Sequence, residues 1–149
     1  MQNLEGFLTV DLKLWIFGTI RKMQHGADWN HAWEETYREI GGQSIESGKK
    51  GCPMNGAKTL YLLGRIKGSD MPYRKPSLRD VWENYSKNGV YSVLALECLS
   101  RDPNISLSRL WTSIQKRVRE DLGEEPAKSN QGGPTVAYKL WHLGLITSP

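Results

Sequence analysis

The chain has 149 residues, 38% of them apolar and 24% charged, with a formal net charge of +4. That length and apolar share suit one globular domain able to fold without staples, and two cysteines, Cys52 and Cys98, exclude both a disulfide framework and a four-cysteine metal site. No apolar run approaches the roughly eighteen residues that span a bilayer, and Met1 to Glu5 shows no basic segment leading into an apolar one, so no membrane contact and a reducing cytoplasm are expected.

The first expected helix runs from about Thr9 to Met23, because Leu12, Trp15, Ile16 and Ile20 recur at three or four residues. Asp28 has the character of an N-cap, with Glu34 and Glu35 in the early turns of a second helix that turns Ala32, Trp33, Tyr37 and Ile40 inward. Gly41-Gly42 stops it, and a polar loop runs from Gln43 to Gly51. Pro53 suits the start of a third helix, which ends at Leu63-Gly64. Pro72, Pro76 and Ser77 mark turns, and Leu78 to Tyr85 reads as a short helix. The next helix spans about Asn88 to Leu99 and stops at Arg101-Asp102-Pro103. Ser106 caps another, whose apolar face is Leu107, Leu110, Trp111, Ile114 and Val118. A loop from Gly123 to Gly133 precedes a last helix, Pro134 to Leu143, burying Val136, Leu140 and Trp141.

This order reads as one unit used twice. Leu63-Gly64-Arg65-Ile66 and Leu143-Gly144-Leu145-Ile146 lie eighty residues apart, as do Ala57 and Ala137, Leu60 and Leu140, and Tyr61 and Trp141. The expected fold is all-α, a helical bundle of two tandem three-helix units at about 9–68 and 88–149 with a linker at about 69–87, sharing one core. No stretch alternates with period two for long enough to predict a sheet.

Charge is uneven along the chain. Lys49, Lys50, Lys58, Arg65, Lys67, Arg74 and Lys75 fall in one stretch with Asp70 as its one acid, whereas elsewhere acids and bases nearly balance. Within it, Gly48-Lys49-Lys50-Gly51-Cys52-Pro53 leads two lysines and two glycines into a helix N-terminus. Such an end has unpaired N–H groups and partial positive charge for an anion. The matching place in the second unit is Lys128-Ser129-Asn130-Gln131-Gly132-Gly133-Pro134. Expected anion- or nucleic-acid-binding residues are therefore Lys49, Lys50, Gly51, Cys52, Asn55 and Lys58, with Lys128, Ser129, Asn130 and Gln131. The Gly-Lys-Ser/Thr spacing of a Walker loop is absent.

The chain resembles a small group of bacterial proteins classed only as a domain of unknown function. The residues that carry the resemblance are Lys49-Lys50-Gly51-Cys52-Pro53 with Ala57, then Ala95, Leu96, Glu97 and Leu99, then Ser129-Asn130-Gln131 and Leu140-Trp141-His142-Leu143-Gly144-Leu145-Ile146. It spans about Trp33 to Ile146, and the chain departs from it at Asn55-Gly56 and at Gly132-Gly133-Pro134. It implies a fold and no activity.

Other constellations are sparse. His25, His31 and His142 lie on different elements, with no metal-binding spacing, and neither a metal nor a cofactor is expected. Cys52, beside two lysines at a helix start, would have a lowered thiol pKa, which makes it the one candidate nucleophile or anion sensor, though no base is evident. Cys98 reads as core. Of six tryptophans, Trp15, Trp33, Trp111 and Trp141 fall on apolar helix faces. Trp29 and Trp82 do not, so they and Tyr85 are the expected exposed anchors for a partner.

Three functions follow in order. The first is a non-catalytic nucleic-acid- or anion-binding helical module, loosely like a helix-turn-helix, with the helix after each loop as reader. The second is a protein-interaction or regulatory accessory protein of bacterial or phage type. The third is a thiol-dependent enzyme or small-anion sensor at Cys52.

Overall fold

The computed structural model describes residues 11–42, 51–130 and 132–147, apart from the side chains of residues 51 and 52. Within them the chain is all-helical: α1 (Leu12–Gln24), α2 (Trp29–Glu39), α3 (Gly51–Leu62), α4 (Leu78–Asn84), α5 (Lys87–Arg101), α6 (Leu107–Arg117) and α7 (Gly133–His142). A π-helical turn, Val118–Leu122, prolongs α6 until Gly123 ends it in the left-handed region at φ 63°. Among the described residues no strand forms, and one isolated antiparallel bridge joins Ile66 to Ile146. No described helix is long and apolar enough to cross a membrane.

Side-chain caps start five of the helices. Asp11, Asp28, Ser77, Ser86 and Ser106 accept from the backbone N–H of Leu14, His31, Asp80, Gly89 and Arg109. Each satisfies a donor that helix geometry leaves unpaired, worth about 1 kcal/mol. The boundaries shift little from expectation, except that α3 begins at Gly51, two residues before Pro53, and the π turn had no forecast.

The centre of the core is α5, which packs along α3 and α7 and also meets α4 and α6. Its Val90, Leu94, Ala95, Leu96 and Leu99 are buried against Ala57, Leu60, Val136, Ala137 and Leu140 of the same cluster. A second focus is aromatic, where Trp15 of α1 stacks near Trp33 of α2 at 4.1 Å, and Trp29 bridges Trp33 at 5.9 Å to Tyr61 of α3 at 5.3 Å. Buried indole N–H groups need acceptors, and Trp15 Nε1 donates to Trp33 O while Trp29 Nε1 donates to Met54 O. Trp29 is thus 2% exposed, which overturns its reading as an exposed anchor. The reason is its spacing: Trp29, Trp33 and Tyr37 form one stripe at four-residue steps, and the first residue of the helix belongs to it.

Correspondence at an offset of eighty is seen in the closing segments. Gly64 and Gly144 adopt φ 72° and 73°, and each follows its helix with the same backbone bonds, Arg65 N to Leu60 O and Leu145 N to Leu140 O. The leading helices are placed differently: α5 lies along both α3 and α7, whereas α1 packs chiefly on α2.

Candidate anion-binding cleft

The two polar loops were expected to lead into helix starts, and the starts of α3 and α7 are neighbours. A Cβ on Gly132 would lie 3.0 Å from Pro53 Cδ, and the far ends of the same helices meet at the Ile66–Ile146 bridge. So α3 and α7 run side by side in one direction. Lys49, Lys50 and Gln131 lie outside the described residues, as does the side chain of Cys52, and of Gly51 only the helical backbone is described.

The remaining loop residues are largely committed to structure. Asn130 Oδ1 accepts from Gly132 N at 2.8 Å and its Nδ2 donates to Thr135 Oγ1 at 3.1 Å, so both ends of the amide hold the α7 start. Gln115 Nε2 donates to Ala127 O at 3.0 Å, and Tyr91 Oη accepts from Ala127 N at 3.0 Å, pinning the loop to α5 and α6. Lys128 is exposed, and Ser129, Asn55 and Lys58 are half-buried. The helices expected to read a groove are core elements, with Met54, Thr59 and Thr135 all buried, so neither α3 nor α7 offers these positions to a duplex.

Trp82 and Tyr85 are half-buried. The Trp82 ring meets Tyr91 edge-on at 6.4 Å and lies 5.3 Å from Lys87 Nζ. Cys98 is half-buried rather than core; it lines a small cleft of about 310 Å³ with Arg101, Lys116 and Arg117, and burial pushes its thiol pKa up. His31 is exposed, with Nδ1 2.6 Å from Asp28 Oδ2. Among the described residues no group of three or more His, Cys, Asp or Glu is placed to hold a metal ion.

A different place gathers charge. A cleft of about 400 Å³ lies between the end of α3, the end of α5 and the segment before α4, lined by Arg65, Arg74, Lys75, Arg101, Glu97, Tyr73 and Trp141 together with apolar Leu63, Val93 and Leu96. Its walls follow from local backbone chemistry. Gly64 takes the left-handed turn after α3 and has no Cβ, so Pro72 passes close against it; Arg74 N then donates to Leu63 O at 2.9 Å and fixes the next residues over the helix end. Arg65, the following residue, donates from Nε to Thr147 O at 2.8 Å, and its guanidinium lies 5.6 Å over the Tyr73 ring. Burial draws the Arg65 pKa down, yet a guanidinium stays protonated throughout the working range.

Four cations thus face one carboxylate. Glu97 is already engaged: its Oε2 lies 3.3 Å from Arg117 Nη1, close enough for an ion pair though without hydrogen-bond alignment, and that oxygen is buried with no donor on it. Among the described residues no ion pair or side-chain hydrogen bond is made by Arg74, Lys75 or Arg101. Like charges held around a concavity repel one another and concentrate a field that an anion relieves. Arg101 also occupies the last turn of α5, where a cation complements the helix dipole.

The model of a protein family described as a family of unknown function, DUF6979, matches residues 17–147. The chain belongs to DUF6979. Every residue lining the cleft falls inside the matched span. No curated protein and no solved structure matches the chain. Membership in DUF6979 therefore brings no activity, and the chemistry of the cleft has to speak for itself.

Arg65, Arg74 and Lys75 belong to the basic stretch that stands out in the sequence. Arg101 and Trp141 do not, because they reach the cleft only through the packing of α5 and α7 on α3.

Proposed function

We propose that this protein is a non-catalytic helical binding module that takes an anionic group in the cleft between Arg65 and Arg101. The observation that carries this reading is that Arg74, Lys75 and Arg101 line one concavity without partners of their own, while its one carboxylate, Glu97, is paired to Arg117. Charge-assisted hydrogen bonds from such groups to phosphate or carboxylate oxygen are about twice as strong as neutral ones, and here they need no internal ion pair to break. The reading keeps the anion chemistry expected from the sequence and moves its centre from the loops at the helix starts to the other end of α3. Nucleic acid is the class of partner we favour, and the cysteine usage favours a cytoplasmic setting.

The adjacency of Pro53 and Gly132 supports one alternative, in which the paired starts of α3 and α7 hold the anion with Lys49, Lys50 and Lys128. A single experiment separates the two. Binding of inorganic phosphate and of a mixed-sequence single-stranded DNA is measured by calorimetry at rising salt, for the natural chain, Arg74→Ala/Lys75→Ala, Arg101→Ala, Lys49→Ala/Lys50→Ala and the control Lys116→Ala. The cleft reading expects the first two variants to weaken binding about tenfold or more and to flatten the salt slope. Loss confined to Lys49→Ala/Lys50→Ala would transfer the site to the helix starts, and no binding at low salt would end both.

A further inference from the structure

We infer that the cleft accommodates one nucleotide unit whose base carries an exocyclic amino group, with its phosphate toward Arg74, Lys75 and Arg101 and its base between Tyr73, Trp141 and Glu97. This deepens the anion reading and rests on it.

Size is the first argument. A space of about 400 Å³ is that of a small-ligand site; it takes one base and its phosphate, and α3 and α7 bury Met54, Thr59 and Thr135 rather than presenting them to a groove. A duplex is therefore the wrong shape.

The lining is the second. A bare anion would use the cations and nothing else, yet the same cleft is walled by Trp141, half-buried, and by Tyr73, which is 39% exposed. Aromatic faces of this kind stack bases, because every base presents a π-face. Tyr73 already lies under the Arg65 guanidinium at 5.6 Å, so one of its faces has a cation over it.

Glu97 is the third, and it separates a nucleotide from a simple anion. A carboxylate in a cleft meant for phosphate alone repels its ligand. One of its oxygens, Oε2, is buried beside Arg117, while the side chain as a whole is 34% exposed and lines the cleft. Its second oxygen, Oε1, is an acceptor, and a carboxylate on a base edge accepts from an amino group such as cytosine N4. Phosphate, ring and amino group thus each meet a suitable part of the lining.

The test compares CMP with UMP, which differ at the amino position, and both with inorganic phosphate, by calorimetry and tryptophan fluorescence. CMP is expected to bind about tenfold more tightly than UMP, and UMP more tightly than phosphate. Glu97→Gln should narrow the gap between CMP and UMP without weakening phosphate, and Trp141→Leu should bring both nucleotides toward phosphate. Should Trp141→Leu fail to fold, Glu97→Gln carries the test. Phosphate binding that neither base improves would overturn this inference and leave the anion reading standing, whereas no binding of any of the three would remove both. Equal affinity for CMP and UMP would overturn the role of Glu97 and with it the inference. A 5′-phosphorylated single-stranded oligonucleotide ending in cytidine, set beside free CMP, shows whether the unit comes from a strand end or from a free nucleotide.

Discussion

Ile66 and Ile146 face each other in an antiparallel bridge, closed by Lys67 N donating to Leu145 O and Thr147 N donating to Arg65 O, each at 2.8 Å. The bridge ties the ends of α3 and α7, and each hydrogen bond maps onto the other when residues are moved by eighty positions. Yet the glycines that lead into it, Gly64 and Gly144, have unlike surroundings. A Cβ on Gly64 would lie 2.3 Å from Pro72 O, a backbone atom, whereas a Cβ on Gly144 would meet nothing within 4 Å. Gly144→Ala should therefore cost only the left-handed penalty, about 1–2 kcal/mol. Gly64→Ala adds a clash that displaces the segment walling the cleft, for roughly 3 kcal/mol or more. Urea denaturation of the two variants decides it, and equal losses would refute the asymmetry.

Trp29 anchors α2 on α3 through its buried ring and its bond to Met54 O. Trp29→Ala removes the buried ring and its hydrogen bond to Met54 O, so a loss of about 3–5 kcal/mol is expected. Trp82→Ala removes a half-buried ring with one edge contact and one lysine beside it, for about 1–2 kcal/mol. Thermal unfolding monitored by circular dichroism ranks the pair; a Trp29→Ala chain as stable as the natural one would mean the ring does not hold the helices together.

Local rules were readable where local chemistry decides. Asp28, Ser106 and the stops at Gly41, Gly64 and Gly144 stand out in the sequence because caps and left-handed turns depend on a few adjacent residues. Trp29 carries its signal in the spacing, four and eight residues before Trp33 and Tyr37, but a first-turn residue next to a cap looks exposed until the neighbouring helix is known. Arg101 and Trp141 gave no sign of the cleft, since their meeting with Arg65 is a consequence of how α5 and α7 pack. The π turn likewise follows from no pattern that Val118 to Leu122 displays. The likeness of the closing segments was legible, and the unlike placing of α1 and α5 was not, because sequence offset says nothing about which neighbour a helix chooses.

The Asp28–His31 pair gives a pH signature. The His31 N–H donated to Asp28 Oδ1 at 2.9 Å, then the His31 ring, hold the Asp28 carboxyl below its usual value; the Asp28 bond raises His31, with Glu34 and Glu35 adding to it. The raised histidine contributes stability that is complete below its ordinary pKa near 6.5 and is lost as pH rises through its higher folded value. The depressed carboxylate contributes above its ordinary value near 3.8 and fails as pH falls through its lower folded one. The charged pair therefore acts in the window between the lowered Asp28 value and the raised His31 value, and fades as pH rises through the latter. Asparagine still caps a helix, so Asp28→Asn should return the His31 titration toward 6.5 while leaving α2 formed at pH 8. A proton NMR titration of the ring reads this directly; an unchanged midpoint in Asp28→Asn would show that the carboxylate is not the cause.

Gly56 sets helix propensity against packing. It lies inside α3, where an alanine would ordinarily gain about 1 kcal/mol over glycine. Here a Cβ would lie 2.6 Å from Ser92 Oγ and 3.0 Å from Gly133 Cα, so α3, α5 and α7 meet at this one point with no room for a methyl group. Ser92 Oγ is itself committed to Gly133 O at 3.0 Å. Gly56→Ala should therefore destabilise by about 1–3 kcal/mol, opposite in sign to the propensity. Replacing the hydroxyl as well, in Gly56→Ala/Ser92→Gly, removes the flexible obstacle and leaves the backbone one, and only part of the loss should return. Full recovery in chemical denaturation would place the conflict at Ser92 alone, and a gain in stability from Gly56→Ala by itself would show that the three helices do not approach as closely as their glycines require.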